Sequence, residues 1–502
     1  MGDIKMKKEQ LQSKIKFIYL LLFYLLVYGI MLIRHYSADS FAYNMDPLKN
    51  NEGNLALGRI GDYFINKIVV FLGGNYVKHQ FAFVLFLIIV LAIVSNGIYE
   101  HYLKCIAKEL TLAQERLLKA SIVLMFCNVF LMEWFIFVEM TFIWGISLLF
   151  MLFAVLQIRK NFTIKRMLYS TVLIAVSVSF YQATIGFYVF FALMTVYILN
   201  QGNLNKKSFL DSVKVMICGA IGGGFDLAFI KVMQSFGWVA VTSRTESMTL
   251  KMLIDNILSI FYNFNEWLCT THGLLPKGVI VVCALAIYAL LIRCLKIKKA
   301  GIGEWVYIIL LIIVSNIMVY LPHLMTSTIW MAQRTIASFF VIISLPAIVI
   351  SIKSEKVADL VIGFVAMAIL IGINVWKILC ISSNVIASNR IDEEISYAIY
   401  NKIMEYEVES GQAVKTISIC KDSNTTWGNR SIEYVCMDTN LRVFNVAHSG
   451  VQCINYYNGT GYKSVPISES AYNKYFSGKD WDYLDLDEQL VFEGNVAYFV
   501  SY

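Results

Sequence analysis

The chain has 502 residues, 58% of them hydrophobic and only 15% charged, with a mean hydropathy of +0.63. Soluble domains run nearer a quarter charged, so this composition excludes a soluble enzyme and points to a helical membrane protein with many spans. The net charge of +7 does not imply a nucleic-acid partner, because the basic residues sit in short loops between apolar runs, where orientation signals belong.

Lys5, Lys7, Lys8, Lys14 and Lys16 precede the apolar run Phe17 to Ile33. The run is long for a signal-peptide core and no small-residue cleavage site follows, so a retained first helix with a cytoplasmic amino terminus is expected. The polar stretch His35 to Asp62 then lies outside. Tyr63 to Leu72 is apolar but too short to span and reads as interfacial, broken by Gly73-Gly74-Asn75. Phe81 to Tyr99 returns, and His101 to Lys119 reads as an amphipathic helix on the inner surface. Ser121 to Phe137 leads out and Thr141 to Ile158 leads back, with Glu139 in the turn. Met167 to Phe180 and Ala183 to Leu199 flank an outer apex at Tyr181-Gln182. Val213 to Met233 contains Gly222-Gly223-Gly224, small residues that permit close helix packing or a break. A long outer loop, Gln234 to Lys277, holds Arg244, Glu266, Trp267 and His272. Gly278 to Ile292, Trp305 to Leu321, Thr335 to Ile352 and Ala358 to Cys380 bring the total to eleven spans. A short outer loop with His323 ends at Arg334, and every loop with clustered Lys/Arg falls on one side.

From Ile381 onward there are 16 Asp/Glu against 9 Lys/Arg, opposite in sign to the preceding part. The expected fold is mainly α: a polytopic transmembrane helical bundle, residues 1–380, with a small extracytoplasmic α+β domain, residues 381–502. Asn389 to Glu409 carries apolar residues at helical spacing, and Val414 to Cys420, Ile432 to Cys436, Leu441 to Ala447 and Val496 to Tyr502 read as strands. The ten cysteines show no metal-ligand spacing, and most lie in apolar runs as small buried side chains.

Several pieces of the chain occur together in one known group: ADSFAYN followed by LALGRIGDYF after the first helix, SVSFYQATIGFY at an apex, MAQRTIASFF opening a late helix, and SNRIDEEISYAIYNKI after the last. In this order they resemble the glucosyltransferase II family of bacterial multi-pass, GT-C-type glycosyltransferases. The family often has paired acids after the first helix; here Asp39 is followed by Ser40, and Asp46 is the alternative second acid. The resemblance implies transfer of a sugar, glucose by family, from a polyprenyl-phosphate donor to a cell-surface polysaccharide on the outer face of the cell membrane.

Such transfer needs a base for the acceptor hydroxyl, and a partly desolvated carboxylate suits the task. Asp39 is the first candidate and Asp46 the second; the competing readings are a helix N-cap for Asp39 and a turn beside Pro47 for Asp46. A leaving phosphate needs a guanidinium, for which Arg334, Arg59 and Arg244 are the candidates. Against this stand an Arg59–Asp62 ion pair and simple snorkelling of Arg334 to the interface. Glu133, Glu139, Tyr181, Gln182 and His323 are candidate substrate contacts, with interface anchoring the alternative for Tyr181. No cofactor or metal is expected, since residues 1–380 have no D-x-D and neither His272 nor His323 has acidic neighbours at ligand spacing. The alternatives are a polysaccharide polymerase or ligase, which would show more outer arginines, and a transporter, which would show internal repeats and mid-span charges.

Overall fold

The computed structural model describes residues 2–48, 51–242, 249–263, 275–327, 329, 331–422, 443–481 and 483–501. Helix α1 (Gly2–Tyr28) ends in a 3-10 turn, Gly29–Leu32. Three short helices follow: α2 (Ser40–Met45), α3 (Asn51–Ala56) and α4 (Ile60–Phe71). The middle of the chain forms α5 (Gln80–Cys105), α6 (Leu112–Phe126), α7 (Glu133–Ile136), α8 (Val138–Leu156), α9 (Ile164–Phe180), α10 (Thr184–Leu199) and α11 (Lys206–Ser235). Next come α12 (Leu250–Tyr262), α13 (Lys277–Ile297), α14 (Ile302–Leu324), α15 (Val341–Lys353) and α16 (Val357–Ser410).

Among the described residues, eight helices are long and apolar enough to cross a membrane, the stretch Gln333–Lys353 around α15 included. The apolar stretches expected at Ser121 to Phe137, Met167 to Phe180 and Ala183 to Leu199 fall in α6, α9 and α10, of 15, 17 and 16 residues. These are shorter than the roughly 20 residues a straight span requires. The first is also interrupted. Asn128 accepts hydrogen bonds from the amides of Phe130 and Leu131 and donates to the carbonyls of Leu124, Met125 and Ala337, ending the helix before a 3-10 turn at Val129–Leu131.

The amphipathic helix expected over His101 to Lys119 does not form as one element. Helix α5 runs through His101 to Cys105, and α6 starts afresh after a capping box in which Thr111 and Gln114 satisfy each other's amides. The glycine triplet does not break α11. A Cβ on Gly222 would come within 2.6 Å of Ile174 Cγ2, so this glycine is what lets α11 lie close against α9.

Helix α16 is continuous over 54 residues and stops at Gly411, whose φ of +68° suits a left-handed cap. A small sheet follows: β1 (Thr416–Lys421), β2 (Lys463–Ser464), β3 (Leu490–Glu493) and β4 (Val496–Ser501), in the order β2-β1-β4-β3. β1 runs parallel to β2 and β4, and β3 pairs antiparallel with β4. Of the strand expected at Leu441 to Ala447, Leu441 and Arg442 lie outside the described residues, and the rest is a 3-10 turn, Val443–Asn445, leading into α17 (Ala447–Asn458). The expected strand at Ile432 to Cys436 lies outside the described residues.

The large core fills the space among α1, α5, α6, α8, α10 and α15. A second core joins Ile395, Ile399 and Ile403 of α16 to the sheet and α17, and it includes Tyr36, Phe41 and Tyr43 from the loop after α1. That loop is also tied by polar bonds. The Tyr36 amide donates to Asn389 Oδ1 at 2.7 Å, Asn389 Nδ2 donates back to the Tyr36 carbonyl at 3.0 Å, and the Tyr36 and Tyr456 hydroxyls meet at 2.8 Å. The polar stretch near the amino terminus is thus held by the carboxy-terminal half of α16 and the elements that follow it.

Candidate functional site

The site begins with a turn. Gly58 has φ +85°, a conformation that favours glycine, and it delivers Arg59 to the start of α4. The Arg59 guanidinium stands 5.4 Å from the Tyr181 ring, a cation–π distance, and its buried Nε has no hydrogen-bond partner. The α9–α10 apex places Tyr181 and Gln182 opposite. Gln182 Nε2 donates to the Leu57 carbonyl and to Asp226 Oδ2, both at 3.1 Å. Asp226 comes from α11 and is almost fully buried, and its other oxygen, Oδ1, has no partner. It lies twenty residues beyond Lys206, about 30 Å along a helix that rises 1.5 Å per residue.

The far wall is built from α14 and the turn after it. His323 Nε2 lies 2.6 Å from Thr335 Oγ1. Arg334 Nη1 and the Arg334 amide both donate to Glu133 Oε2 at 3.0 Å, and the guanidinium stacks 4.7 Å from the Phe137 ring centre. Glu133 is fully buried, so the pair is a desolvated ion pair rather than a surface contact. The Trp134 indole donates to the Arg334 carbonyl, and Trp134, Trp144 and Tyr181 pack with ring centres 5.4–5.6 Å apart. This aromatic cluster joins the two walls.

Between them is a cavity of about 380 Å³ lined by Arg59, Tyr181, Gln182, Asp226, His323 and Arg334 on its polar sides. Its apolar side includes Gly219, Ala220, Gly223 and Gly224 of α11. A Cβ on Gly223 or Gly224 would meet nothing within 4 Å, so these glycines leave the wall bare. The arrangement sets two guanidinium groups and one carboxylate around a volume with a smooth apolar flank. That combination is suited to a molecule with an anionic head, hydroxyl groups and a hydrocarbon tail.

Asp39, Glu139 and Asp62 lie outside that lining, in an adjoining acidic group. Asp39 starts α2 but its side chain makes no capping bond to it. Buried Glu139 accepts from Ser37 and Ser40 hydroxyls, each at 2.9 Å. Asp62 is buried, which pushes its carboxyl up to about 7 against the pull of Arg59. Asp62 and Arg59 do not form a close ion pair, and Asp62 Oδ2 and Arg59 Nε are both left without partners. Burial, together with the charges of Glu139, Asp62 and Asp39, holds the Tyr43 phenol well above its ordinary value. The segment Glu133 to Glu139 connects the two groups, touching Arg334 at one end and Ser37 and Ser40 at the other.

Asp46 is exposed and its Oδ1 accepts from the Leu48 amide, the geometry of a turn residue. Arg244, Glu266, Trp267 and His272 lie outside the described residues. Asp226 escapes the sequence reading altogether, although a lone aspartate inside an apolar helix is itself a signal, because ionisable groups are costly there.

No curated protein and no solved structure matches the chain. Among protein families, Glucosyl transferase GtrII matches residues 28–351, which takes in both walls of the cavity and the acidic group beside it. The chain therefore belongs to the GtrII glucosyl transferase family.

Proposed function

We propose a reading that starts from the family: a glycosyltransferase acting on a sugar donor and an acceptor, in a chain whose apolar helices fit a multi-pass membrane protein. In this reading it moves glucose from a polyprenyl-phosphate donor to a surface polysaccharide on the non-cytoplasmic face, with the cavity as the transfer site. The carrying observation is the pairing of Arg59 and Arg334 on opposite walls of one cavity that also has a bare apolar flank. The guanidinium groups take the phosphate, for which their planar donor forks are well matched. The apolar flank takes the first units of the lipid. Gln182, Tyr181 and His323 face the sugar. For the base, the reading carries Asp39 on the loop side and Asp226 in the cavity wall.

Placement on the non-cytoplasmic face rests on the lysine-rich loops, which belong to the opposite ends of these helices. Asp226 near the far end of α11, and His323 in the last turn of α14, support it. The carboxy-terminal elements then stand on the same face and brace the loop that holds Asp39.

The test is reconstitution of the full chain in liposomes with radiolabelled polyprenyl-phosphate glucose and a wall-glycan fraction. Label entering the glycan, dependent on Arg59 and Arg334, is the expected result. Lipid-linked sugar crossing the bilayer with no label transferred would make the protein a transporter instead.

A further inference from the structure

We propose that Asp226 is the catalytic base that takes the proton of the acceptor hydroxyl. The inference rests on the transfer reading above and names the residue that reading leaves open. Asp226 is the one carboxylate among the described residues that line the cavity. Asp39, the candidate nearest the family's motif, is not among them.

The surroundings of Asp226 are those a base needs. One oxygen is fixed, because Gln182 Nε2 donates to Oδ2 at 3.1 Å while also holding the Leu57 carbonyl. The other, Oδ1, is buried and has no partner. A carboxylate oxygen buried without a donor costs free energy, and a substrate hydroxyl would supply the donor. Arg59 lines the same cavity with an unpartnered Nε. A buried acceptor and a buried donor, both unpartnered and on residues of one cavity wall, are complementary to a hydroxyl group, which needs both, once small side-chain shifts bring them to it. The turn at Gly58 is fitted to this residue: a Cβ there would stand 3.0 Å from Asp226 Oδ2 and 2.2 Å from Ile230 Cδ1.

In the step, the acceptor oxygen forms a bond to the anomeric carbon of the donor and its proton passes to Asp226. The bond between that carbon and the phosphate oxygen breaks, and the electron pair leaves with the polyprenyl phosphate. Arg59 and Arg334 hold the extra negative charge. The proton on Asp226 is later lost to water, which restores the carboxylate.

Asp226→Asn is the decisive substitution, because the amide keeps an oxygen for Gln182 but cannot accept a proton. The full chain in liposomes is assayed with polyprenyl-phosphate glucose and a wall-glycan fraction, and donor binding is measured in parallel. A general base contributes about 10²–10⁴-fold. Transfer should fall by at least a hundredfold while donor affinity changes less than about threefold, and Asp226→Glu should recover part of the rate. In wild type the rate should fall on the acid side as the base is protonated, and that limb should vanish from the residual activity of Asp226→Asn.

Retention of more than about a tenth of the rate in Asp226→Asn would overturn the proposal. A larger loss in Asp39→Asn than in Asp226→Asn would also do so. If neither Asp226 variant inserts and binds donor, the residue is structural and the assignment falls. Wild-type chain that binds the lipid-linked sugar yet transfers nothing would remove the transfer reading, and the role of Asp226 with it.

Discussion

Replacing Arg334 separates its structural work from its work on substrate. Its Nη1 contacts Glu133 Oε2 at 3.0 Å, and Glu133 is fully buried. Breaking a buried pair by removing one partner typically costs about 3–5 kcal/mol, because the other charge stays in a low-dielectric site. Arg334→Met should therefore lower the thermal stability of the detergent-purified protein sharply. Adding Glu133→Gln removes the stranded charge and still leaves an acceptor for the Arg334 backbone amide, which donates to the same oxygen. Most of the lost stability should return in the double variant. Transfer should not return, since a charge-assisted hydrogen bond to phosphate is worth about 1.5–3 kcal/mol, roughly 10–150-fold in kcat/KM. The assay is thermal unfolding followed by fluorescence, paired with transfer kinetics on each variant. Recovery of full activity in the double variant would show that Arg334 serves only Glu133 and does not grip the donor. An Arg334→Met protein as stable as wild type would refute the burial argument itself.

Asp62 predicts a pH effect on stability. Its folded pKa of about 7 exceeds the ordinary 3.8, so the folded state binds the extra proton and stability falls as pH rises between those values. The full span is worth on the order of 4 kcal/mol, and Asp62→Asn should flatten the slope and be the more stable protein at pH 8 in thermal scans. Gly58→Ala should cut transfer at least tenfold, because its methyl would push on Ile230 and Asp226, whereas Gly53→Ala, with nothing within 4 Å, should leave it unchanged. Gly223→Leu fills open space on the apolar flank, so KM for donor should rise with little change in melting temperature. Asn389→Ala breaks both bonds to the Tyr36 backbone and should cost about 2–3 kcal/mol; limited proteolysis should then cut the loop after α1 faster.

The membrane class and the apex at Tyr181-Gln182 are legible because each is a local event, a length of apolar chain or a break in it, whereas Gly58-Arg59 stands out only through the family resemblance. Arg334 is legible as a local event too, as a cation where an apolar run opens. What sequence cannot show is which of these breaks face one another. The cavity exists because α4, the α9–α10 apex, α11 and the end of α14 converge on it. Asp226 is hidden by its own setting: apolar neighbours on both sides make it look like part of a span, and only its contact with Gln182, 44 residues away, marks it as part of the site. Likewise, the interruption at Asn128 depends on the carbonyl of Ala337, over two hundred residues away. The 3-10 turn at Val443–Asn445, in place of a strand, goes with packing on α16 and β1: Val443 and Phe444, with Val451 and Ile454 of α17, all lie in the second core.

The central claim is that one cavity holds both ends of the reaction, and an experimental structure with bound polyprenyl-phosphate glucose tests it most directly. The phosphate should lie within hydrogen-bond distance of both Arg59 and Arg334, with the lipid along Gly223 and Gly224 and the anomeric carbon facing Asp226. A phosphate bound elsewhere, with Arg334 still committed to Glu133 and the cavity empty, would contradict it.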